Sequence, residues 1–183
     1  MLHSSKEKEG MKMKKIITID PKNCMGCWNC LLGCAWVHSK SEKMVDIFHD
    51  PNIEWRLSIE EVGDIIVPLH CQHCDDAPCS KVCPTGALKK QKEGEEDIIL
   101  YDESLCIGCK MCLQACPFGM IKLKVDGCGI VKCDLCIDRL KEGLEPACVS
   151  VCITDAIKFE PADIYVKTKQ KENAKKILSD GSN

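Results

Sequence analysis

With 183 residues, the chain is long enough for one compact domain and too short for two ordinary ones. A formal net charge of −3 supplies no basic field for nucleic acid, and the Lys-rich ends read as solvated surface. The 17 cysteines leave two classes open, a disulfide scaffold or a metal protein.

The opening stretch, MLHSSKEKEGMKMKKIITID, has no apolar run before a small-residue cleavage site, no twin arginine and no membrane-spanning segment. It points to a cytoplasmic protein without direct membrane insertion. Residues 1–12 are polar and expected to be disordered. Ile16 to Ile19 reads as a strand leading into a first cysteine motif, CMGCWNCLLGC, with Cys24, Cys27, Cys30 and Cys34. Trp28 and Trp36 are expected to pack over the centre this motif binds and to exclude water. Ser39 to Pro68 is the longest cysteine-free piece inside the motif region, charged, with Val45, Ile47, Trp55 and Leu57 as apolar anchors. It is expected to cover one side of the metal centres or to face a partner.

A second motif, CQHCDDAPCSKVCP, holds Cys71, Cys74, Cys79 and Cys83. His70 and His73 flank its first cysteines and are expected to be hydrogen-bond donors behind the thiolates or surface residues, because the set of four is already complete. Lys89 to Asp97, KKQKEGEED, reads as a charged surface turn, and Ile98 to Tyr101 as a strand. The third motif, CIGCKMCLQACP, has Cys106, Cys109, Cys112 and Cys116, and Ile121 to Val125 follows as another strand. Cys128 stands outside the pattern and is expected to be a buried or partly buried free thiol. The fourth motif has Cys133, Cys136, Cys148 and Cys152. Past Pro161, KQKENAKKILSDG places Ala174, Ile177 and Leu178 on one helical face before Gly181. Residues 161–183 are thus a helical extension that packs on its own domain or docks onto another subunit or a second copy.

The motifs are copies of one unit. PTGAL after Cys83, PFGMI after Cys116 and ITDAI after Cys152 repeat the same apolar close. The third motif matches the bacterial ferredoxin run C-x2-C-x2-C-x3-C-P, whose first three cysteines bind one cluster and whose fourth binds the neighbouring one. Cysteines three apart on a tight loop converge on one cubane, and Gly26 and Gly108 let backbone amides approach its sulfides. The fourth cysteine starts a helix and points to the opposite side. Only the second and third motifs carry the proline, which pairs them with each other and leaves the first to pair with the fourth. The expected ligand sets are Cys71, Cys74, Cys79 with Cys116; Cys106, Cys109, Cys112 with Cys83; Cys24, Cys27, Cys30 with Cys152; and Cys133, Cys136, Cys148 with Cys34. Such a protein holds four 4Fe-4S clusters, and without them the chain is expected to be unfolded or molten. Zinc knuckles have no use for a fourth cysteine at x3 in register, and an odd cysteine count without an export signal argues against disulfides.

With four motifs in this order, and C-x2-C-x11-C-x3-C in the last, the chain resembles the iron–sulfur subunits of the dimethyl sulfoxide reductase family. It is similar to their short cytoplasmic relatives, which serve formate dehydrogenases, tungsten aldehyde oxidoreductases and CO dehydrogenase–hydrogenase systems. The resemblance covers about residues 16–160 and departs at Ala35 and Ile153, where ferredoxins often have proline. It implies an α+β fold of two pseudo-symmetric ferredoxin-like two-cluster units in one compact domain over 13–160. The inner unit would be about 68–123, and the outer unit 13–38 plus 128–160. It also implies the same pairing of motifs. The implied function is a non-catalytic electron relay between a catalytic subunit and a second redox partner, such as a ferredoxin or a hydrogenase subunit. The catalytic subunit would be foremost a molybdenum or tungsten pterin formate or aldehyde oxidoreductase, with a CO dehydrogenase–hydrogenase system next. The chain itself shows no pterin, flavin or nucleotide motif. A free polyferredoxin shuttle and a zinc-stabilised interaction module are the readings from other classes.

Overall fold

The computed structural model describes residues 14–39, 41–94 and 96–180; the tail expected to be disordered lies outside them. In chain order the first half comprises β1 (Lys15–Ile19), α1 (Asn29–His38), β2 (Ser58–Val62), β3 (Ile65–Leu69), α2 (Pro78–Lys81), β4 (Leu88–Glu93) and β5 (Glu96–Tyr101). The second half comprises α3 (Met111–Ala115), β6 (Lys122–Leu123), β7 (Ile130–Val131), α4 (Ile137–Lys141), α5 (Ala147–Ser150), β8 (Ile157–Pro161) and α6 (Ala162–Asp180). This is an α+β fold of short elements. Its strands form four antiparallel two-stranded ribbons, β1 with β8, β2 with β3, β4 with β5 and β6 with β7.

The β1–β8 ribbon sets Ile17 opposite Phe159 and Ile19 opposite Ile157, which ties the entry to the first motif to the exit from the fourth. β4 and β5 do the same for the second and third, with Leu88 opposite Tyr101. The expected turn over Lys89–Asp97 is therefore corrected: it is mostly strand. β4 reaches the core through Leu88 alone while Lys89 to Lys92 lie exposed, so no apolar alternation marks it. Gly94, at φ +59°, carries the reversal. The strand expected over Ile121–Val125 shrinks to Lys122–Leu123, paired with Val131 and Ile130.

Neighbouring residues of β5 face two different interiors, because side chains alternate along a strand. Ile98, 0% exposed, packs with Ile17, Leu31, Leu57, Leu135 and Ile157 around Cys30, Cys34 and Cys148. Ile99, 1% exposed, packs with Leu88, Ile121 and Ile130 around Cys79 and Cys112. β5 is thus a wall between a core built by the first and fourth motifs and one built by the second and third.

In the long cysteine-free piece, Ile47 and Leu57 are buried, Trp55 packs against the first core, and Val45 is exposed. The expected C-terminal helix is present and begins at Ala162. Its principal neighbours are β1 and β8, and Ile164, Val166 and Ile177 stay exposed. Among the described residues, no helix is long and apolar enough to cross a membrane.

Candidate metal centres

All four motifs bend the chain at the same place. The residue two positions after the first cysteine is left-handed in each: Gly26 (φ +69°), His73 (φ +44°), Gly108 (φ +68°) and Leu135 (φ +57°). Such a bend curls a C-x-x-C loop so that both thiols address one centre. Glycine adopts it freely, whereas a side chain costs about 1 kcal/mol there. His73 and Leu135, each 5% exposed, are held in that shape by burial. Beyond the last cysteine, Gly86, Gly119 and Asp155 are also left-handed. Their N–H groups donate to the carbonyls of Cys83, Cys116 and Cys152 at 3.3, 3.3 and 3.4 Å. The repeat also reaches upstream of the cysteines. Asp20 and Asp102, four residues before Cys24 and Cys106, each cap a single 3-10 turn, accepting from Lys22 N–H and Ser104 N–H. Both donate their own N–H at 2.8 Å, Asp20 to Ala156 and Asp102 to Ala87.

The structure brings the sequence-predicted cysteines together across motifs. One apolar hollow is lined by Cys24, Cys27, Cys30 and Cys152. Another is lined by Cys71, Cys74, Cys79 and Cys116. A third is lined by Cys83, Cys106, Cys109 and Cys112. The remaining thiols meet in the interior. Burial raises Cys133 far above its ordinary range, and Cys34 and Cys148 add to the rise. Burial likewise raises Cys148, with Cys136 and Cys34 adding. Neighbouring thiols of one set do the same elsewhere: burial, then Cys24 and Cys27, push Cys30 up to about 11. Cys83 goes the other way. Burial resists its ionisation, but the N–H groups of Leu88, Thr85 and Ala87 and the Thr85 hydroxyl hold it below the usual thiol range.

These donor sets fit an iron–sulfur cluster better than a single ion. Two thiolates on one zinc, each at about 2.3 Å, lie at most about 4.6 Å apart. Among the described residues, no three cysteine sulfurs lie within 4.8 Å of one another; the group that close is His38, Asp134 and Cys136. Four thiols spread around an apolar hollow suit a cubane, whose irons take thiolate ligands and whose binding displaces the thiol protons.

The group around Asp134 is an ion-pair cluster. Its carboxylate takes His38 Nε2 at 3.0 Å and Arg56 Nη1 at 2.5 Å, and His38 Nδ1 lies 3.8 Å from Cys34 Sγ. Burial opposes both charges, yet Asp134 lifts His38 well above the histidine range, and His38 and Arg56 hold Asp134 below the carboxylate range. Sequence reading missed all three, which come from three separate segments. His70 and His73 are buried rather than on the surface. His70 Nδ1 donates to the Cys71 carbonyl at 2.8 Å, and His73 Nδ1 accepts from Ile99 N–H at 3.0 Å. Trp28 lines the first cavity but is itself 57% exposed, and Trp36 is 40% exposed and does not line that cavity, so the expected seal is partial. Cys128, expected to be buried or partly so, is exposed. It sits on a turn where Asp126 accepts its N–H at 2.8 Å, and the glycines on either side leave it no apolar neighbour in sequence.

A family model for a 4Fe-4S dicluster domain matches residues 62–162. The iron-sulfur protein of Rhodospirillum rubrum is 36% identical over 180 residues, covering 91% of this chain and 93% of that one. The thiosulfate reductase electron transfer subunit PhsB of Salmonella typhi is 39% identical over 145 residues, covering 79% and 74%. One polypeptide of the anaerobic dimethyl sulfoxide reductase of Escherichia coli is 34% identical over 151 residues, covering 79% and 72%. These matches and the four cysteine quartets agree: the chain belongs to the 4Fe-4S dicluster-domain family as a dimethyl sulfoxide reductase-type iron–sulfur subunit, non-catalytic itself and a carrier of four 4Fe-4S clusters.

Proposed function

We propose that this subunit relays single electrons between a molybdenum or tungsten pterin catalytic subunit and a second redox partner. The ligands are the four crossed quartets, and each bound cluster supplies one-electron redox chemistry. Two pseudo-symmetric units carry them, an inner one over about 68–123 and an outer one from 13–38 plus 128–160, with 161–183 as an extension. The observation that carries this reading is the gradient of exposure along the quartets. Cys27 and Cys109 are exposed, whereas Cys34, Cys136 and Cys148 are buried. The neighbours run in one order: Cys30 and Cys148 share one core, Lys132 joins the Cys133 backbone to the hollow of the Cys71 quartet, and Cys79 and Cys112 share the other core. The relay therefore runs from the Cys24 quartet through the Cys133 and Cys71 quartets to the Cys106 quartet, with partners meeting it at the two ends.

On the catalytic partner, formate or aldehyde oxidation is what the resemblance to the short relatives implies, with a CO dehydrogenase–hydrogenase system next. The relatives' names favour a second, a reductase of a sulfur compound such as thiosulfate or dimethyl sulfoxide. A cytoplasmic location accords with thiols kept reduced for metal. The test is anaerobic isolation of the tagged chain at native expression, with subunit stoichiometry, pterin and substrate-dependent dye reduction or oxidation measured on the complex. A stoichiometric pterin subunit supports the relay, and its substrate decides between the two readings. A monomer that passes electrons freely among several acceptors would make the chain a shuttle instead.

A further inference from the structure

Lys132 is a lysine in an unusual place. It precedes Cys133 in sequence, is 5% exposed, and lines the cavity of the other central quartet, Cys71, Cys74, Cys79 and Cys116. Its Nζ donates to the Ile99 carbonyl at 2.7 Å and the Cys133 carbonyl at 2.8 Å. Among the described residues no carboxylate is paired with it in a salt bridge, although charged side chains are seldom buried unpaired. The neighbouring imidazole of His73 brings no second cation, since its Nδ1 accepts the Ile99 N–H. Ile99, on the β5 wall, thus fixes both groups with its two backbone atoms. Lys132 stands against two quartets at once, bonded to the Cys133 backbone on one side and lining the hollow of Cys71, Cys74, Cys79 and Cys116 on the other. The negative charge that balances Lys132 is therefore that of the thiolate-held clusters on its two sides.

We propose that Lys132 is a positioning cation shared by the two central clusters, stabilising their reduced forms together and so easing electron transfer across the β5 wall. Adding one electron to either cluster adds one negative charge beside the same ammonium. That charge is felt by the Cys71 and Cys133 quartets and far less by the Cys24 and Cys106 quartets, which lie beyond them. The inference rests on the ligand sets proposed above.

The experiment compares wild type, Lys132→Met, Lys132→Gln and Lys132→Arg as anaerobically purified holoproteins, by iron and sulfide content and by EPR-monitored redox titration. Lys132→Met keeps four clusters, and two of the four couples become harder to reduce by about tenfold, or about 59 mV for a one-electron couple. The other two stay in place, and Lys132→Arg restores the shifted pair. Lys132→Gln, which keeps a donor for the carbonyls without the charge, carries the same test where the methionine variant does not load. Four clusters with unmoved potentials, an equal shift of all four, or an arginine variant that shifts like methionine would each overturn the role of the charge. A wild-type content other than four clusters would instead overturn the ligand sets.

Discussion

Replacing Cys116 by serine tests the crossed pairing most directly. Cys116 follows the Cys106–Cys112 loop in sequence but lines the cavity of Cys71, Cys74 and Cys79, while Cys83 lines that of Cys106, Cys109 and Cys112. Loss of one ligand costs at most one cluster, about four irons of about sixteen. Two substitutions in one quartet therefore cost no more than one of them alone, whereas two in different quartets add, because only groups sharing a site are non-additive. Cys74→Ser/Cys116→Ser should lose about four irons and Cys109→Ser/Cys116→Ser about eight. Iron and sulfide analysis on protein purified without oxygen reads the number, and low-temperature EPR identifies the missing component. Cys74→Ser and Cys116→Ser should remove the same signal, and Cys83→Ser should remove the one lost in Cys109→Ser. Where a single serine leaves a three-iron cluster, the pairs reverse: two losses in one quartet leave too few thiolates for any cluster, about four irons, whereas one loss in each of two quartets removes about two. A Cys109→Ser/Cys116→Ser double that loses only one cluster would place both cysteines on one centre and refute the crossing.

Gly26 and Gly108 share a left-handed backbone but differ in surroundings. Alanine at Gly108 meets no atom within 4 Å and should cost only the backbone penalty, about 1 kcal/mol. At Gly26 the new methyl runs into Ile66 Cδ1, the far end of a half-buried flexible side chain that can turn aside, so the cost should rise only to about 1–2 kcal/mol and fall back in Gly26→Ala/Ile66→Val. The guanidinium midpoint for loss of visible cluster absorbance ranks the variants, and equal midpoints for the two alanines would contradict the packing. Ile98→Ala and Ile99→Ala should each destabilise by about 2–5 kcal/mol but on opposite sides of β5. Partial denaturant should release the clusters of the first and fourth motifs from Ile98→Ala and those of the second and third from Ile99→Ala, followed by their separate EPR signals. Deleting residues from Asp163 onward should leave all four clusters in place and, if α6 joins copies, lower the assembly mass measured by light scattering; an unchanged mass removes α6 as a self-association element.

The chemistry was legible in one dimension because cluster ligation is local in its first three steps. Thiols at fixed short spacing, repeated four times in register, name the cofactor without any knowledge of distant contacts. The same spacing named the two turn glycines, Gly26 and Gly108. It could not name their counterparts His73 and Leu135, because a bulky residue in a left-handed turn carries no compositional mark; burial alone holds it there. The aspartates four residues before Cys24 and Cys106 were visible letters, but their shared role emerges only when both cap the same turn.

Spacing along the chain was enough for the number of centres and the donor type, and proline placement suggests the crossing that the cysteine substitutions test. What lies between the centres came from folding. β4 hides in a charged run, since one buried leucine and a backbone ladder suffice to make it a strand. Arg56, Asp134 and His38 stand far apart along the chain, and their ion pairs exist only because folding removes them together from water. Lys132 reads from its letter as one more surface charge. Its burial between two quartets depends on Ile99, more than thirty residues earlier, offering a carbonyl 2.7 Å away. A side chain's charge is written locally, but the dielectric around it and the groups it faces are set by every segment that packs there.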